Sequence, residues 1–377
     1  MRIVLIGPVH PYKGGISHYT GLMCRELRKH HDVHLLSYKL QYPRFLFKKE
    51  QKDYANKSFQ IEDTNFFINT IDPLNWFATA KHIRKLQPDL VILQWWHPYF
   101  APCYATICRL LGKTKKLFVC HNVFPHERFP MDRCLTKSVL RKGNLFVVHS
   151  AQDEEDLKSI KADAVMKESP LPTYNAFKMH NLTREQARET LKLPLEEKVL
   201  LFFGLVREYK GLRYLLQAMP EITDQLSGIR LMIVGDFAGE KEQYQIIIDK
   251  LNIAANIEIH DGYIPDEEVE KYFAACDLVV LPYTSATQSA VVQVAYGLER
   301  PVVVTNVGGL PETVIEGKTG YVVPPCDPNG IAKAVVSYFA ERDTTDFTAN
   351  IRQEAYKFSW ERMAETIETL ASVGALT

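Results

Sequence analysis

The feature that most constrains the fold is a repeated alternation of short apolar runs with longer amphipathic stretches. In the first half, apolar runs recur at 3–6, 34–36, 90–93, 117–120 and 145–148. A second series follows at 199–203, 230–234, 257–259, 278–281, 301–305 and 321–323. Short apolar strands separated by helices are typical of βαβ units, whose parallel sheet is covered by helices on both faces. Each half is therefore predicted to be a doubly wound α/β domain.

The alternation stops between the two series, where prolines and polar residues break both the helical and the strand period. With 377 residues, the chain is also longer than one core usually holds. We predict an N-terminal domain at 1–168, a linker at 169–181 and a C-terminal domain at 182–358. Apolar spacing predicts a last helix over 360–372, with Ser359 as its N-cap.

Composition excludes several classes of protein. Lys plus Arg and Asp plus Glu both number 45, so the chain lacks the excess positive charge expected of a nucleic-acid binder. Seven cysteines without a CxxC pair argue against a disulfide framework and against a metal site. The absence of a long apolar run argues against a membrane span. We therefore expect a cytoplasmic protein, and peripheral contact with a membrane stays open.

Two turns of the C-terminal half carry the strongest chemical signal. Gly204, Arg207 and Lys210 directly follow an apolar strand, and two cations three residues apart can neutralise the oxygens of a diphosphate. The turn at 287–290 follows a second strand, and its backbone N–H groups can face the same ligand. The combination predicts a cradle for a nucleotide-sugar donor, although a solvated turn that merely carries charge explains the spacing about equally well.

The N-terminal half contributes weaker candidates at the ends of its strands. Gly14 and Gly15 allow backbone N–H groups to approach a phosphate, but most glycine pairs are simply turns. His121 ends a strand and can hydrogen-bond a sugar hydroxyl, while an ordinary surface histidine is the alternative. Trp95 and Trp96 can stack on an acceptor sugar or pack between domains, and His97 follows them.

A mixed aromatic and basic stretch at 41–49 is a further candidate for acceptor contact. It includes Tyr42 and Arg44, and its composition suits anionic head groups or a lipid-linked acceptor. A loop folded over the core explains it nearly as well.

In these motifs the chain resembles the retaining glycosyltransferases of family 4, which have the GT-B fold. The resemblance extends over nearly the whole chain. It rests on the segments GPVHPYKGGISHYT, CHN, FFGLVREYKGLRYLLQA, VGD, GYIPDEEVEKYFAACDLVVLPY, PVVVTNVGGLPETVIEGKTGYVVPP and the FSW before the last helix.

The resemblance implies two Rossmann-like domains facing across a cleft, with the helix at 359–377 joined to the N-terminal, acceptor-side domain. It implies transfer of a sugar from a nucleoside diphosphate donor with retention of configuration, without metal or cofactor. By position, Arg207 and Lys210 would hold the diphosphate, and His121 would meet the transferred sugar. Donor contacts would come from Gly14, Gly15, Gly204, Gly262, Tyr263, Ile264, Thr287, Gln288, Ser289, Ala290 and Gln293.

One departure from the family pattern concerns two glutamates separated by seven residues. The corresponding positions hold Ala286 and Val294, neither of which accepts a hydrogen bond through its side chain. Gln288 and Gln293 lie nearby and are predicted to supply amide contacts instead, as in a variant branch of the family.

The leading hypothesis is a retaining glycosyltransferase that acts on a glycan or a lipid-linked acceptor in the synthesis of a surface polysaccharide or glycoconjugate. A catalytically silent nucleotide-sugar-binding partner subunit is the alternative that the missing glutamates suggest. A sugar-nucleotide epimerase of the same fold is a third hypothesis.

Overall fold

The computed structural model describes residues 1–47, 50–54, 57, 59–125 and 129–373. The chain folds as two compact units. The first comprises Met1–Pro170 with the segment from Ser359 onward, and the second comprises Leu171–Phe358.

The first unit is built on a parallel sheet. Among the described residues its strands are Arg2–Ile6 (β1), Asp32–Leu40 (β2), Asn65–Asn69 (β3), Leu90–Trp95 (β4), Lys115–Cys120 (β5), Leu145–Val148 (β6) and Val165–Glu168 (β7). Their order is β3-β2-β1-β4-β5-β6-β7. The helices between them are Gly15–Leu27 (α1), Pro73–Leu86 (α2), Ala101–Leu110 (α3), Asp132–Leu140 (α4) and Ala151–Ile160 (α5). A short 3-10 helix covers Pro98–Phe100.

The second unit repeats this plan with a six-stranded sheet. Its described strands are Lys198–Phe203 (β8), Ile229–Gly235 (β9), Ile257–Asp261 (β10), Leu278–Leu281 (β11), Val302–Thr305 (β12) and Gly320–Val323 (β13), in the order β10-β9-β8-β11-β12-β13. Its helices are Arg184–Leu191 (α6), Leu212–Gln225 (α7), Lys241–Lys250 (α8), Asp266–Ala275 (α9), Ala290–Gly297 (α10), Leu310–Thr313 (α11), Pro328–Glu341 (α12) and Phe347–Gln353 (α13). Further 3-10 turns cover Asn175–Phe177, Glu208–Lys210, Ala254–Asn256 and Ala355–Phe358.

The prediction of two doubly wound α/β halves is confirmed. Every strand pairing within the two sheets is parallel, and central strands such as β4 and β6 are buried along their whole length. Burial on both faces explains why these strands read as continuous apolar runs in the sequence. Strands β3 and β7 escaped prediction, because both lie at sheet edges and carry polar residues.

The order of each sheet reverses once, and this reversal positions the candidate sites. In the first unit it falls between β1 and β4, and in the second between β8 and β11. Connections leave such neighbouring strands toward opposite faces, so a crevice opens at their carboxyl ends, where doubly wound proteins bind ligands.

The last helix, Trp360–Val373 (α14), packs against the first unit. Its predicted N-cap is confirmed, because the Arg362 N–H donates to Ser359 Oγ at 3.0 Å. The Trp360 ring meets the Tyr19 ring edge-on at 4.9 Å, and Glu368 pairs with His31 at 2.8 Å. The helix therefore completes a unit whose other elements precede it by almost two hundred residues of chain.

Residues 171–181, within the predicted linker, group with the second unit. The buried Glu270 carboxylate accepts the main-chain N–H of His180 at 2.6 Å and that of Leu182 at 2.9 Å. A charged acceptor on two backbone donors gives strong hydrogen bonds, so this part of the segment is fixed on α9.

A buried charge cluster joins the amino ends of β8 and β11. Asp277 accepts hydrogen bonds from Arg188 Nη2 at 2.9 Å and from the Val199 N–H at 2.8 Å. Arg184 and Arg342 approach its other carboxylate oxygen at 3.3 and 3.4 Å. The Arg188 guanidinium is fully buried and donates to four main-chain carbonyls, those of Ala275, Pro194, Leu195 and Glu197.

Candidate functional site

The turn after β8 forms the basic part of the candidate site. Gly204 follows the strand in a positive-φ conformation (φ 106°), and Lys210 ends a 3-10 turn immediately before α7. The Lys210 N–H donates to the Arg207 carbonyl at 3.0 Å, which holds both cationic residues in one turn. The turn lies at the carboxyl end of β8, beside the sheet reversal.

The Lys210 ammonium is buried beside Gly204 and Tyr283. It lies 5.3 Å from the centroid of the Tyr283 ring, and a Cβ atom placed on Gly204 would come within 3.0 Å of Nζ. Burial lowers the pKa of Lys210 below its ordinary value. Of the described residues, none brings a carboxylate into ion-pair distance of Nζ, and the neighbouring Glu208 pairs with Arg213 instead. A desolvated cation without a counter-ion is suited to binding an anion.

Arg207 lies on the same turn but is exposed. The two cations thus differ in surroundings, since Lys210 is fixed among packed groups and Arg207 extends into solvent. We expect Lys210 to set the position of an anion and Arg207 to add charge at its outer side.

The turn after β11 is joined directly to this basic turn. The Thr284 N–H donates to the Tyr209 carbonyl at 2.7 Å, and the Gly309 N–H donates to the Thr287 carbonyl at 2.8 Å. Helix α10 begins at Ala290, and the Ser289 side chain does not cap it; its hydroxyl instead donates to Tyr283 Oη at 3.4 Å. First-turn N–H groups of a helix have no intrahelical partner, so they favour a bound anion.

Gly211 determines how closely the two turns approach each other. Its φ of 67° is left-handed, and a Cβ atom there would lie 1.9 Å from the Pro282 carbonyl oxygen. We expect Gly211→Ala to destabilise the second unit by about 2 kcal/mol or more, because the backbone must shift in addition to bearing the left-handed strain. Urea denaturation followed by circular dichroism measures this loss.

Gly228→Ala is the matched control, because Gly228 has a similar φ of 63° with nothing within 4 Å of the added Cβ. It should show only the strain of about 1–2 kcal/mol. Equal losses in the two variants would contradict the close approach at Pro282.

The predicted donor contacts Gly262, Tyr263 and Ile264 follow β10, two strands from β8. Gly262 has a φ of 132°, and its N–H donates to the Gly235 carbonyl at 3.1 Å. Tyr263 is exposed and Ile264 is half-buried. The segment therefore lies at the same carboxyl edge of the sheet as the basic turn.

The positions of the expected glutamates remain without side-chain acceptors. Ala286 and Gln288 are half-buried, and Val294 is buried. Gln293 is fully buried, and neither polar atom of its amide has a hydrogen-bond partner among the described residues.

The orientation of Gln293 argues against the predicted amide contact to a donor. Val291 lies 3.7 Å from a Cβ atom placed on Gly204, so that face of α10 meets the basic turn. Gln293 is two residues further, roughly 200° around the helix. It shares its face with Gly297, where an added Cβ would meet the backbone of Asn175 at 2.7 Å. The face of α10 that meets the basic turn carries Val291, with Val294 one turn further along it.

In the first unit, Gly14 and Gly15 begin α1 at the carboxyl end of β1. Gly14 is the N-cap with a φ of 106°, and a Cβ atom there would meet nothing within 4 Å. Gly14 has no side chain with which to cap the 13-residue helix that follows.

At the end of β5, His121 is held by Gln94, a residue that the sequence did not indicate for this role. Its Nε2–H donates to Gln94 Oε1 at 2.7 Å, and its ring meets the Tyr19 ring edge-on at 4.5 Å. Burial and the nearby His149 lower the pKa of His121 well below its ordinary value, so the ring is neutral near pH 7. A neutral imidazole protonated on Nε2 keeps Nδ1 as a hydrogen-bond acceptor.

The aromatic candidates of the first unit occupy different environments. The prediction that Trp95 stacks on a sugar is wrong for this structure, because Trp95 is fully buried in the core and donates to the Val123 carbonyl at 3.3 Å. Trp96 donates from Nε1 to Tyr42 Oη at 3.0 Å, so these two half-buried residues pair with each other. Burial lowers the pKa of His97, whose Nδ1 accepts the Tyr99 N–H at 3.1 Å.

Arg44 is exposed on the turn that follows Tyr42, while Lys48 and Lys49 of the predicted 41–49 stretch lie outside the described residues. No helix within the described ranges is long and apolar enough to cross a membrane.

Two family models match the chain. One, described as Glycosyltransferase Family 4, covers residues 13–165, and the other, described as Glycosyl transferases group 1, covers residues 197–341. Each match coincides with one of the two doubly wound units.

Curated relatives resemble part of the chain. The D-inositol 3-phosphate glycosyltransferase of Corynebacterium diphtheriae is 28% identical over 254 residues, which are 65% of this chain and 59% of that protein. The lipopolysaccharide 1,2-N-acetylglucosaminetransferase of Salmonella typhimurium is 27% identical over 194 residues, 49% of this chain and 51% of that protein. The chain thus spans less than two thirds of the length of either relative.

Solved structures resemble the whole chain. Anabaena HepE in complex with UDP-glucose has a TM-score of 0.77 at 17% identity and covers 99% of this chain and 100% of its own. Sucrose-phosphate synthase from Thermosynechococcus elongatus has a TM-score of 0.75 at 20% identity and covers 100% of both chains. The likeness shows that the predicted GT-B fold is present.

Proposed function

This chain belongs to the glycosyltransferases of group 1 and family 4, and from that premise we propose that it transfers a sugar from a nucleoside diphosphate donor to a glycan or lipid-linked acceptor, with retention of configuration and without a metal. The observation that carries the proposal is the buried Lys210 ammonium, which lacks a carboxylate partner among the described residues and lies at the reversal of the second sheet. We place the reaction in the synthesis of a surface polysaccharide or glycoconjugate.

The proposed chemistry concerns the bond between the sugar C1 and the diphosphate. This bond breaks with its electron pair passing to the diphosphate oxygen, and the acceptor hydroxyl forms a new bond to C1 on the same face. The proton of that hydroxyl passes to the departing diphosphate. Charge therefore accumulates on the phosphates, where Lys210, Arg207 and the first N–H groups of α10 stabilise it.

The remaining candidates take positioning roles in the proposal. His121 accepts a sugar hydroxyl through Nδ1, because Gln94 occupies Nε2. Backbone groups of Gly14 and Gly15 approach the phosphates, and the main chain of 262–264 receives the nucleobase. With Ala286 and Val294 in place of carboxylates, donor recognition depends on backbone groups, Gln288 and the cations.

A donor panel tests the first half of the proposal. UDP-glucose is the first donor to try, since a solved neighbour is a complex with it; GDP-, ADP- and dTDP-sugars complete the panel. A cognate donor at 100 times its Kd should stabilise the protein by about 2.7 kcal/mol, seen as a rise in Tm. No shift with any donor, in an otherwise folded protein, would overturn the proposal.

A second candidate function is a silent nucleotide-sugar-binding subunit, which the hydrophobic pair Ala286 and Val294 favours. Donor consumption separates the two functions. A glycosyltransferase releases the nucleoside diphosphate in proportion to glycosylated acceptor, whereas a silent subunit binds the donor and releases none. A reaction without acceptor is the control, because an epimerase would still convert the donor there.

A further inference from the structure

The first unit exposes a group of large apolar side chains together with basic ones. Leu74 is 81% exposed, Phe45 is 75% exposed, and Leu46, Ile71 and Phe77 are also exposed. Single exposed apolar residues are ordinary, but a contiguous group of this kind marks a contact surface. We call the turn 44–47 and the outer face of α2, with Ile71 before it, the apolar-basic face.

The two parts of this face lie together because β2 and β3 are adjacent. Leu40 at the end of β2 pairs with Asn69 at the end of β3. Just beyond them, Thr70 Oγ1 donates to the Gln41 carbonyl at 2.8 Å. The turn 44–47 and the start of α2 therefore leave the same end of the same strand pair.

Hydrogen bonds with Gln51 and Trp96 hold Tyr42, which lies just before the turn 44–47. The Gln51 side chain accepts the Tyr42 N–H at 3.2 Å and donates to the Tyr42 carbonyl at 2.8 Å, while Trp96 donates to Tyr42 Oη. The Leu46 N–H donates to the Pro43 carbonyl at 3.0 Å, which closes the turn. Phe45 and Leu46 are thus presented to solvent on a fixed base.

Helix α2 continues the face with helical spacing. Leu74, Phe77 and Lys81 follow each other at steps of three and four residues, and Arg84 and Lys85 lie one turn further. All five are exposed, and the helix sequence PLNWFATAKHIRKL contains no carboxylate. The exposed face of α2 is therefore apolar in its first turns and basic in its last ones, so its apolar side chains can enter a lipid interface while its basic ones meet anionic head groups.

From this arrangement we propose that the apolar-basic face docks the protein on an anionic lipid bilayer. Leu74, Phe77 and the 45–46 pair enter the head-group boundary, and Lys81, Arg84, Lys85 and Arg44 meet lipid phosphates. This face is less suited to binding a second copy of the chain. A two-fold contact would bring two basic α2 helices, neither with a carboxylate, against each other, and their like charges would repel. The proposal adds to the proposed function and is independent of it, since vesicle binding needs no donor.

Vesicle co-sedimentation with the full chain tests the proposal. We expect binding to vesicles of phosphatidylcholine with phosphatidylglycerol, much weaker binding to phosphatidylcholine alone, and loss of binding as salt rises. The double variant Lys81→Gln/Lys85→Gln should weaken binding roughly 30-fold, at about fivefold for each charge. Leu74→Gln/Phe77→Gln should weaken it at least about tenfold.

Matched controls come from exposed positions of the second unit. Ile246→Gln removes an exposed apolar residue from α8, and Lys250→Gln/Lys333→Gln removes two exposed lysines. These variants should bind vesicles like the original protein. Equal weakening by test and control variants would overturn the proposal, as would equal binding to both vesicle types.

Self-association is the remaining outcome. If the original protein is a dimer by light scattering and Leu74→Gln/Phe77→Gln is a monomer, the face joins two copies and the lipid proposal is overturned. A monomer in both cases, together with the vesicle results above, supports it.

Discussion

Lys210→Ala is expected to lower kcat/KM for sugar transfer by about 100- to 1,000-fold, as the removal of one well-placed stabiliser of developing charge does in other active sites. The ammonium is buried beside Gly204 and Tyr283, where few water molecules screen its interaction with a diphosphate. Steady-state kinetics with the donor found in the panel measure the fall. Near-normal turnover would refute the assignment of the basic turn as the diphosphate site.

The same variant should fold at least as stably as the original protein. Burial lowers the pKa of Lys210, so keeping the ammonium charged in the folded state carries a desolvation cost that the variant removes. The unfolded state binds more protons between the lowered pKa and the ordinary one, so stability of the original protein should rise with pH across that window. Lys210→Met, which keeps the bulk without the charge, should lack this rise.

Lys250→Ala is the kinetic control, because Lys250 is an exposed lysine on α8 of the same unit. It should leave kcat/KM unchanged. A comparable fall in that variant would mean that general loss of charge, rather than the placement of Lys210, reduces activity.

Asp277→Ala is expected to destabilise the second unit by about 3–5 kcal/mol, because it leaves the buried Arg188 guanidinium without its charged partner. The change also removes the acceptor of the Val199 N–H at the start of β8. Urea denaturation followed by far-ultraviolet circular dichroism gives the free energy of unfolding. Hydrogen exchange measured on peptides from β8 and β11 should locate the loss there.

Tryptophan fluorescence distinguishes the first unit from the second in this experiment. The four tryptophans, at positions 76, 95, 96 and 360, all lie outside 171–358, so their fluorescence follows the first unit alone. Asp32→Ala is the control, because its ion pair with Arg2 is exposed and should contribute far less. An Asp277→Ala protein with unchanged exchange in β8 and β11 would contradict the structural role of the cluster.

The fold could be predicted from the sequence largely because doubly buried strands leave a direct signal. The interior strands β1, β4, β5, β6 and β8 read as apolar runs. Edge strands carry no such requirement: β3 is bounded by asparagines, and β7 includes Lys167 and Glu168. Strand β2 extends to Leu40, beyond the predicted 34–36. The predicted apolar run stops at Ser37, which is buried in the strand although it carries a hydroxyl.

The sequence predicted only those features of the candidate site that depend on residues close together in the chain. Arg207 and Lys210 could be placed after a strand because the motif is local. The burial of Lys210 against Tyr283 and the hydrogen bond from His121 to Gln94 join residues far apart in sequence, so no local pattern reports them. Trp95 and Trp96 are adjacent, and only the direction of each side chain decides that one is core and the other half-exposed.

The return of α14 to the first unit has a consequence for synthesis of the protein. Residues 1–170 leave the ribosome long before Trp360, yet Tyr19 and His31 find their partners on α14 only at the end. During elongation the nascent first unit exposes the apolar surface that α14 later covers, whereas the second unit can finish folding from its own contiguous residues. A chaperone that recognises exposed apolar surface would therefore engage the earlier half of the nascent chain for longer.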